Sequence, residues 1–274
     1  MHFDITPTVK NLLIANFGIY VLAIILNTQM GIDINSFLGL HSYYSEDFHV
    51  YQFVTYIFMH AYMEGGQIYF FHIFGNMFAL FMFGPMLERY WGAKRFLFFY
   101  LFTGIGAGLS YWAVNAYEVY QLKEAVTFYL QHPGPEEFVR FISHHDKSHY
   151  RSLLEYIDKF SENPSNASII EDTKNYAQML YQNAAQFSMV GASGSVYGIL
   201  MGFGLLFPNT VLMLLFPPIP IKAKYIVAFY ALMEVYLQMQ QAAGDNIAHF
   251  AHLAGMVFAF ILVRYWRNKR DLFY

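Results

Sequence analysis

Residues 11–26 read NLLIANFGIYVLAIIL, a run of sixteen residues without a charged side chain. A helix that crosses the hydrocarbon core of a bilayer needs about 20 mostly apolar residues. The N-terminus has no cleavable signal architecture, so we expect this first span to stay in the mature protein. Five further stretches have the same apolar character. The sequence therefore predicts six membrane spans, at about 11–29, 68–87, 95–114, 187–207, 222–241 and 246–265.

The composition of the whole chain agrees with a membrane protein. Of its 274 residues, 57% are apolar and only 13% are charged, against about 25% charged in typical soluble domains. This excludes a disordered chain and a nucleic-acid-binding protein that works through a basic surface. The chain has no cysteine, which excludes disulfides, thiolate metal sites and a cysteine nucleophile.

Basic side chains predict the orientation of the spans, because Lys and Arg concentrate in short cytoplasmic loops. With the N-terminus inside, ten of the 16 Lys and Arg residues fall in cytoplasmic segments, and the outer loop 30–67 has none. The sequence therefore predicts an all-α membrane protein with six transmembrane helices in a single domain, 1–274, and both termini in the cytoplasm.

The segment 115–186, between spans three and four, differs in composition from the rest of the chain. It contains charged amphipathic stretches and is interrupted by prolines at 133 and 135 and at Asn163-Pro164. We expect an extramembrane helical insertion of two or three short helices, split at those prolines. Side chains that can bind metals cluster in it at His144, His145, Asp146 and His149. We favour a solvated helix face there, with a metal site as the alternative.

Polar side chains interrupt spans two, four and six, where lipid makes them costly. These side chains are His72, Asn76, Ser193, His249 and His252. Each alone suggests helix packing, but most lie at one depth, roughly 6 to 12 Å below the outer boundary, on three helices that run in the same direction. A serine with a histidine base and further hydrogen-bond donors is the minimum set for acyl-transfer hydrolysis.

Three motifs on these spans resemble those of the rhomboid intramembrane serine proteases. Span four has Gly191-Ala192-Ser193-Gly194 for G-x-S-G, span six has Ala251-His252-Leu253-Ala254-Gly255 for A-H-x-x-G, and span two has His72-x-x-x-Asn76 for H-x-x-x-N. The resemblance implies Ser193 as the nucleophile and His252 as the general base. It implies His72, Asn76 and the Ser193 backbone amide as the oxyanion hole. Supporting roles are expected for Tyr197, Gly191, Gly194, Gly255 and His249.

Within that group, Tyr197 stands where the family has an aromatic ring packed on the catalytic histidine. Two features depart from the family pattern. The outer loop 30–67, here called loop one, has Tyr51-Gln52 where many members have Trp-Arg. Ala259 replaces the second glycine of span six. We expect loop one to be anchored differently as a result.

The resemblance implies a serine endopeptidase of a bacterial inner membrane. It would cleave transmembrane helices of other membrane proteins near their outer ends, without cofactor, metal or nucleic acid. We interpret the chemistry as a Ser-His dyad without a carboxylate partner. One alternative is a rhomboid-like pseudoprotease that binds membrane-protein clients. Another is a small transporter that uses ionisable groups within the spans, namely His72, His249, His252 and Glu234.

Overall fold

The computed structural model describes residues 4–64, 67–213, 218–240 and 249–270, and this part of the chain is mostly helical. Residues 246–248, the start of the sixth predicted span, lie outside the described residues. The helices are α1 (Pro7–Met30), α2 (Asn35–Leu38), α3 (Gln52–Thr55), α4 (Phe71–Trp91), α5 (Ala93–Gln131), α6 (Pro135–His145), α7 (Leu154–Glu162), α8 (Ala167–Gln186), α9 (Ser193–Leu206), α10 (Ala223–Gln240) and α11 (His249–Arg270).

Short antiparallel strand pairs join some of the connecting segments. Strand β1 (Leu40–His41) of loop one pairs with β4 (Ser188–Met189), the segment just before α9, with Leu40 opposite Met189. This pairing ties loop one to the start of α9. The strands are β1 (Leu40–His41), β2 (Met63–Glu64), β3 (Gln67–Ile68), β4 (Ser188–Met189), β5 (Val211–Met213) and β6 (Pro220–Lys222).

Three of the described helices are long and apolar enough to cross a membrane. They are α1, α5 and the part of α11 from His249 to Asn268. Helix α9 is apolar but has only 14 residues. An apolar stretch of about 20 residues is the mark of a membrane-spanning helix, and these helices make the chain an integral membrane protein.

Helices α1 and α4 run antiparallel, and α1 contacts both ends of α4 by hydrogen bonds. At one end, the buried Glu88 carboxylate accepts hydrogen bonds from the backbone N–H groups of Thr8 and Val9, at 3.0 and 2.9 Å. These amides at the start of α1 have no partner within their own helix, so Glu88 caps it. At the other end, the Tyr20 hydroxyl donates to the Tyr69 carbonyl at 2.9 Å.

Two observed helices differ from the predicted spans. Helix α9 begins at Ser193 and not near 187, because Ser188 and Met189 form a strand and Gly191 has φ +136°. Helix α5 continues 17 residues past position 114, to Gln131, since no glycine or proline interrupts the chain between Gly108 and Pro133.

The segment 115–186 has its own apolar cluster, separate from the cluster that surrounds α9 and α11. Two of its breaks fall at Pro133 to Pro135 and at Asn163-Pro164, which confirms the prediction from the prolines, and a third, without proline, lies between the end of α6 at His145 and the start of α7 at Leu154. The expectation of only short helices is wrong, because α8 has 20 residues and the end of α5 also contributes. Its cluster is made of Leu122, Val126, Tyr129, Phe138, Phe141, Ile142, Ile157, Phe160 and Ala177.

Candidate active site

Ser193 is the first residue of α9, and the local backbone explains why the helix starts there. Gly191, two residues earlier, has φ +136°, a conformation that residues with a side chain rarely adopt. Its N–H donates to the Tyr56 carbonyl of loop one at 3.0 Å. The first N–H groups of a helix have no intrahelical partner. The Ser193 amide is therefore at a terminus that favours negative charge.

His72 faces this helix start, and a backbone hydrogen bond fixes the tautomer of its neutral ring. The Ala61 backbone N–H donates to His72 Nδ1 at 3.2 Å, so the proton of the neutral ring is on Nε2. A Cβ added to Gly191 would lie 3.0 Å from His72 Nε2 and 3.6 Å from Ser193 Oγ. The missing side chain of Gly191 thus leaves a small space flanked by an N–H donor and the serine hydroxyl.

Asn76 lies one turn after His72 on α4 and is buried. Its Nδ2 donates to the His72 carbonyl at 2.9 Å, which fixes the amide group. An amide nitrogen carries two hydrogens. One N–H therefore remains for another acceptor, as the expected oxyanion-hole role requires.

His252 meets α9 where the two helices make backbone contact. A Cβ on Gly255 would lie 2.1 Å from the Gly194 carbonyl oxygen, so only glycine fits there. Next to this contact the Tyr197 ring stacks on the His252 ring, with centroids 4.2 Å apart and planes inclined by 7°. The prediction that Tyr197 packs on His252 is confirmed.

A carboxylate also contacts His252, so the expectation of a histidine without one is wrong. Glu234 on α10 has one oxygen 3.1 Å from His252 Nδ1, and its other oxygen accepts a hydrogen bond from Tyr197. His249 Nδ1 lies 2.5 Å from the same Glu234 oxygen as His252 does. His249 is buried and contacts His252 through Glu234, which agrees with the supporting role expected for it and not with a position at the rim of the site.

Ser195 has a different environment from Ser193, as the helical geometry predicts. It is fully buried, and its Oγ donates to the Tyr100 carbonyl of α5 at 2.7 Å. Residues two apart on a helix point in nearly opposite directions. Ser195 therefore holds α9 against α5 and does not face His72.

Loop one is held by a residue that the sequence analysis noted only as a departure from the family pattern. Gln52 is 0% exposed. Its Oε1 accepts from the His41 and His49 amides, at 3.3 and 3.1 Å, and its Nε2 donates to the Phe37 and Asp47 carbonyls, at 3.1 and 2.8 Å. A neutral amide therefore joins four backbone groups of this loop. A glutamine side chain has both a donor and an acceptor, so it can bind the N–H and C=O groups of a loop, and this property could have indicated the role of Gln52.

A polar cavity of about 300 Å³ lies beside the site. Asp33, Asn35 and Ser188 line it, together with Ala61 and Val190. Ala61 is the residue whose amide binds His72, and Val190 precedes Gly191. The cavity is therefore lined by a residue that binds His72 and by the residue next to Gly191.

The cluster of His144, His145, Asp146 and His149 lies far along the chain from this site. Its hydrogen bonds connect secondary-structure elements. Asp146 is buried and accepts hydrogen bonds from Tyr176 at 2.5 Å and from His149 at 2.8 Å. These contacts join α8 to the end of α6.

A family model for the rhomboid domain matches residues 47–122 and 169–269, which is more than half of the chain. The two matched parts contain every residue of the site described above, and the unmatched residues between them lie within 115–186. Searches of curated proteins and of solved structures gave no match. Rhomboid domains are generally intramembrane serine proteases. The chain belongs to the rhomboid family.

Proposed function

We propose that this protein is an intramembrane serine endopeptidase in which Ser193 is the nucleophile and His252 the general base. The observation that carries the proposal is the space over Gly191. It lies between Ser193 Oγ and His72 Nε2–H at the amino end of α9. A carbonyl oxygen in that space would meet donors at the point where negative charge develops.

In the first half of the reaction, Ser193 Oγ attacks the carbonyl carbon of the scissile peptide and His252 accepts its proton. The resulting oxyanion is stabilised by the Ser193 amide, His72 Nε2–H and Asn76. Loss of one such donor typically costs about 10²- to 10³-fold in rate. His252 then gives the proton to the leaving amine, and the C–N bond breaks to leave an acyl-enzyme.

In the second half, water attacks the acyl group while His252 takes a proton from the water. The acyl C–Oγ bond then breaks, His252 returns the proton to Ser193 Oγ, and the peptide acid is released. This step requires water at a site inside a membrane protein. The polar cavity beside Ala61 and Val190 is a reservoir from which this water can come.

The substrates are transmembrane helices of other membrane proteins, cut near their outer ends. A helical peptide bond is already hydrogen-bonded and shielded by its neighbours, so the substrate has to unwind locally. We propose six spans with both termini in the cytoplasm of a bacterium and with 115–186 as an insertion outside the membrane. Single cysteines introduced near residue 150 should react with an impermeant reagent from outside, and those near 92 and 269 only from inside. The reverse pattern would refute this topology.

The test of the chemistry compares two serines of the same helix. Purified protein is incubated with a fluorophosphonate probe and, separately, with a labelled transmembrane-helix substrate. Ser193→Ala and His252→Ala should abolish cleavage without loss of thermal stability, and Ser193→Ala should also lose labelling. Ser195→Ala is the control and should keep both activities. Labelling of Ser193→Ala, or normal turnover of His252→Ala, would refute the assignment, and a folded wild type without either activity would favour the pseudoprotease.

A further inference from the structure

Glu234 is a carboxylate buried inside the helix bundle, with only 2% of its surface exposed. A buried charge is unfavourable unless polar partners surround it, and in a membrane protein such groups mark functional sites. Its partners here are two histidine rings and a tyrosine hydroxyl, those of His249, His252 and Tyr197. Two of the three partners belong to the candidate active site.

The contacts hold the His252 ring from two directions. Glu234 Oε2 is 3.1 Å from Nδ1 at the edge of the ring, while the Tyr197 ring covers one face. The Tyr197 hydroxyl donates to the other Glu234 oxygen, so the stacking ring and the carboxylate are themselves joined. In this resting geometry the Nδ1–H is not aligned for a full hydrogen bond, as is common at catalytic contacts before substrate binds.

We propose that Glu234 is the positioning residue for His252, so that Ser193, His252 and Glu234 act together as a triad. The inference rests on the proposed function. Glu234 holds the proton of the neutral ring on Nδ1, which leaves Nε2 as the acceptor for the Ser193 proton. When Nε2 is protonated during the reaction, the carboxylate stabilises the imidazolium and stays ionised itself.

His249 and Tyr197 extend this arrangement. His249 Nδ1 lies 2.5 Å from the oxygen that also contacts His252, and it provides a second donor for the buried charge. Tyr197 provides the third. The carboxylate is thus held in place by groups other than His252, which is what a preorganised partner for a charged transition state requires.

A divalent metal is the competing occupant of this cluster, since one ligand atom of each of Glu234, His249 and His252 lies within 4.8 Å of the others. Two features favour a hydrogen-bonded cluster without a metal. The Glu234 oxygen that contacts both rings is only 2.5 Å from His249 Nδ1, the separation of a hydrogen bond and not of two ligands on one ion. The second oxygen is already bound by a hydroxyl donor.

The kinetic test compares two buried carboxylates. Glu234→Gln removes the carboxylate charge beside His252. Glu88→Gln removes a carboxylate charge at the capped end of α1, remote from the site. We expect Glu234→Gln to lower kcat by about 10²- to 10⁴-fold with KM unchanged, and Glu234→Asp to restore part of it. Glu88→Gln should lower the melting temperature and keep kcat. Equal kcat in Glu234→Gln and wild type would overturn the proposal.

The pH dependence of kcat is a second readout, because a structural role would not change its shape. The titratable groups that face His252 are Glu234 on α10, His249 on α11, Tyr197 on α9 and His72 on α4. Glu234→Gln should change the acidic limb of the profile, whereas Glu88→Gln should reproduce the wild-type profile. An unchanged acidic limb in Glu234→Gln would contradict the positioning role.

A third readout does not depend on protease activity. In protein labelled with ¹⁵N-histidine and carrying Ser193→Ala, the Nδ1–H of charged His252 should give a low-field proton resonance, assigned by its loss in His252→Gln. Glu234→Gln should remove this resonance and Glu88→Gln should keep it. If the wild type fails to cleave but this pattern holds, the positioning stands and the proposed function falls. A resonance that persists in Glu234→Gln, or stoichiometric zinc binding that Glu234→Gln abolishes, overturns the proposal.

Discussion

The contact between α9 and α11 gives a sharp prediction, because it joins two backbones. A Cβ on Gly255 would lie 2.1 Å from the Gly194 carbonyl oxygen and 2.9 Å from the carbonyl carbon. Ordinary contact begins at 3.4 Å, so the Gly255→Ala methyl group is short of room by about 1.3 Å. Backbone atoms of a packed helix cannot turn aside as the end of a side chain can. The two helices therefore have to separate.

The separation affects the proposed chemistry as well as the stability. Ser193 precedes Gly194, and His252 lies one turn before Gly255, so the shift is transmitted to both the proposed nucleophile and the proposed base. A misplacement of about 1 Å typically costs about 10²-fold in rate, and overpacking costs about 1–3 kcal/mol of stability. We expect Gly255→Ala to lower kcat by about 10²-fold and to lower the melting temperature of a still folded protein.

The assay measures cleavage of a labelled transmembrane-helix substrate together with thermal unfolding in the same detergent. The matched control is Gly75→Ala, on α4 next to Asn76, where an added Cβ would meet nothing within 4 Å. This control should keep wild-type turnover and stability. Wild-type turnover in Gly255→Ala, or equal losses in both variants, would refute the reasoning.

Three further predictions concern loop one and the segment 115–186. Gln52→Ala removes four hydrogen bonds to backbone groups of loop one and should cost about 2–4 kcal/mol in thermal unfolding, whereas Tyr51→Phe, which removes one 3.3 Å hydrogen bond from an exposed side chain to the Phe37 carbonyl, should change stability by less than about 0.5 kcal/mol. Burial alone would raise the pKa of Asp146, but hydrogen bonds from Tyr176, His149 and Ser148 outweigh it and hold the pKa below its ordinary value. The stabilisation by Asp146 is thus complete above its ordinary pKa of about 4 and is lost as the pH falls through the lowered value; hydrogen exchange of α6 should record that loss in wild type but not in Asp146→Asn. Replacement of about 122–180 by a short linker should leave cleavage within about tenfold of wild type, since the apolar cluster of that segment is separate from the one at the site; a folded deletion without cleavage would contradict this.

The sequence predicted those parts of the site that lie within short motifs. Ser193 and Tyr197 are four residues apart on one helix, so their shared face follows from helical geometry. The two helix breaks at prolines in 115–186 follow from proline chemistry in the same way, whereas the break between α6 and α7 has no proline to predict it. In both cases the determining interactions lie within a few residues of each other along the chain.

The contacts that the sequence did not indicate join residues distant in the chain. Glu234 and His252 belong to different helices, and a single ionisable residue in a span does not reveal which helix it faces. The replacement of the family's basic side chain by Gln52 predicted only that loop one is anchored differently, and it did not indicate the four backbone hydrogen bonds that the Gln52 amide makes. The start of α9 was misjudged because a glycine-rich apolar run has the hydropathy of a helix, whatever its backbone angles.

The precision of the site depends on positions without side chains. Gly191 leaves the space between His72 and Ser193, and Gly194 with Gly255 sets the distance between the helices that carry Ser193 and His252. An added methyl group would meet His72 Nε2 at Gly191, the Gly194 backbone at Gly255, and the Cβ of Ala107 on α5 at Gly194. Elsewhere in a packed core, a change of one methylene is partly absorbed by neighbouring side chains. Substitutions at Gly191 and Gly255 should therefore reduce catalysis together with stability, whereas substitutions at apolar residues such as Phe99 or Ile199 should reduce chiefly stability.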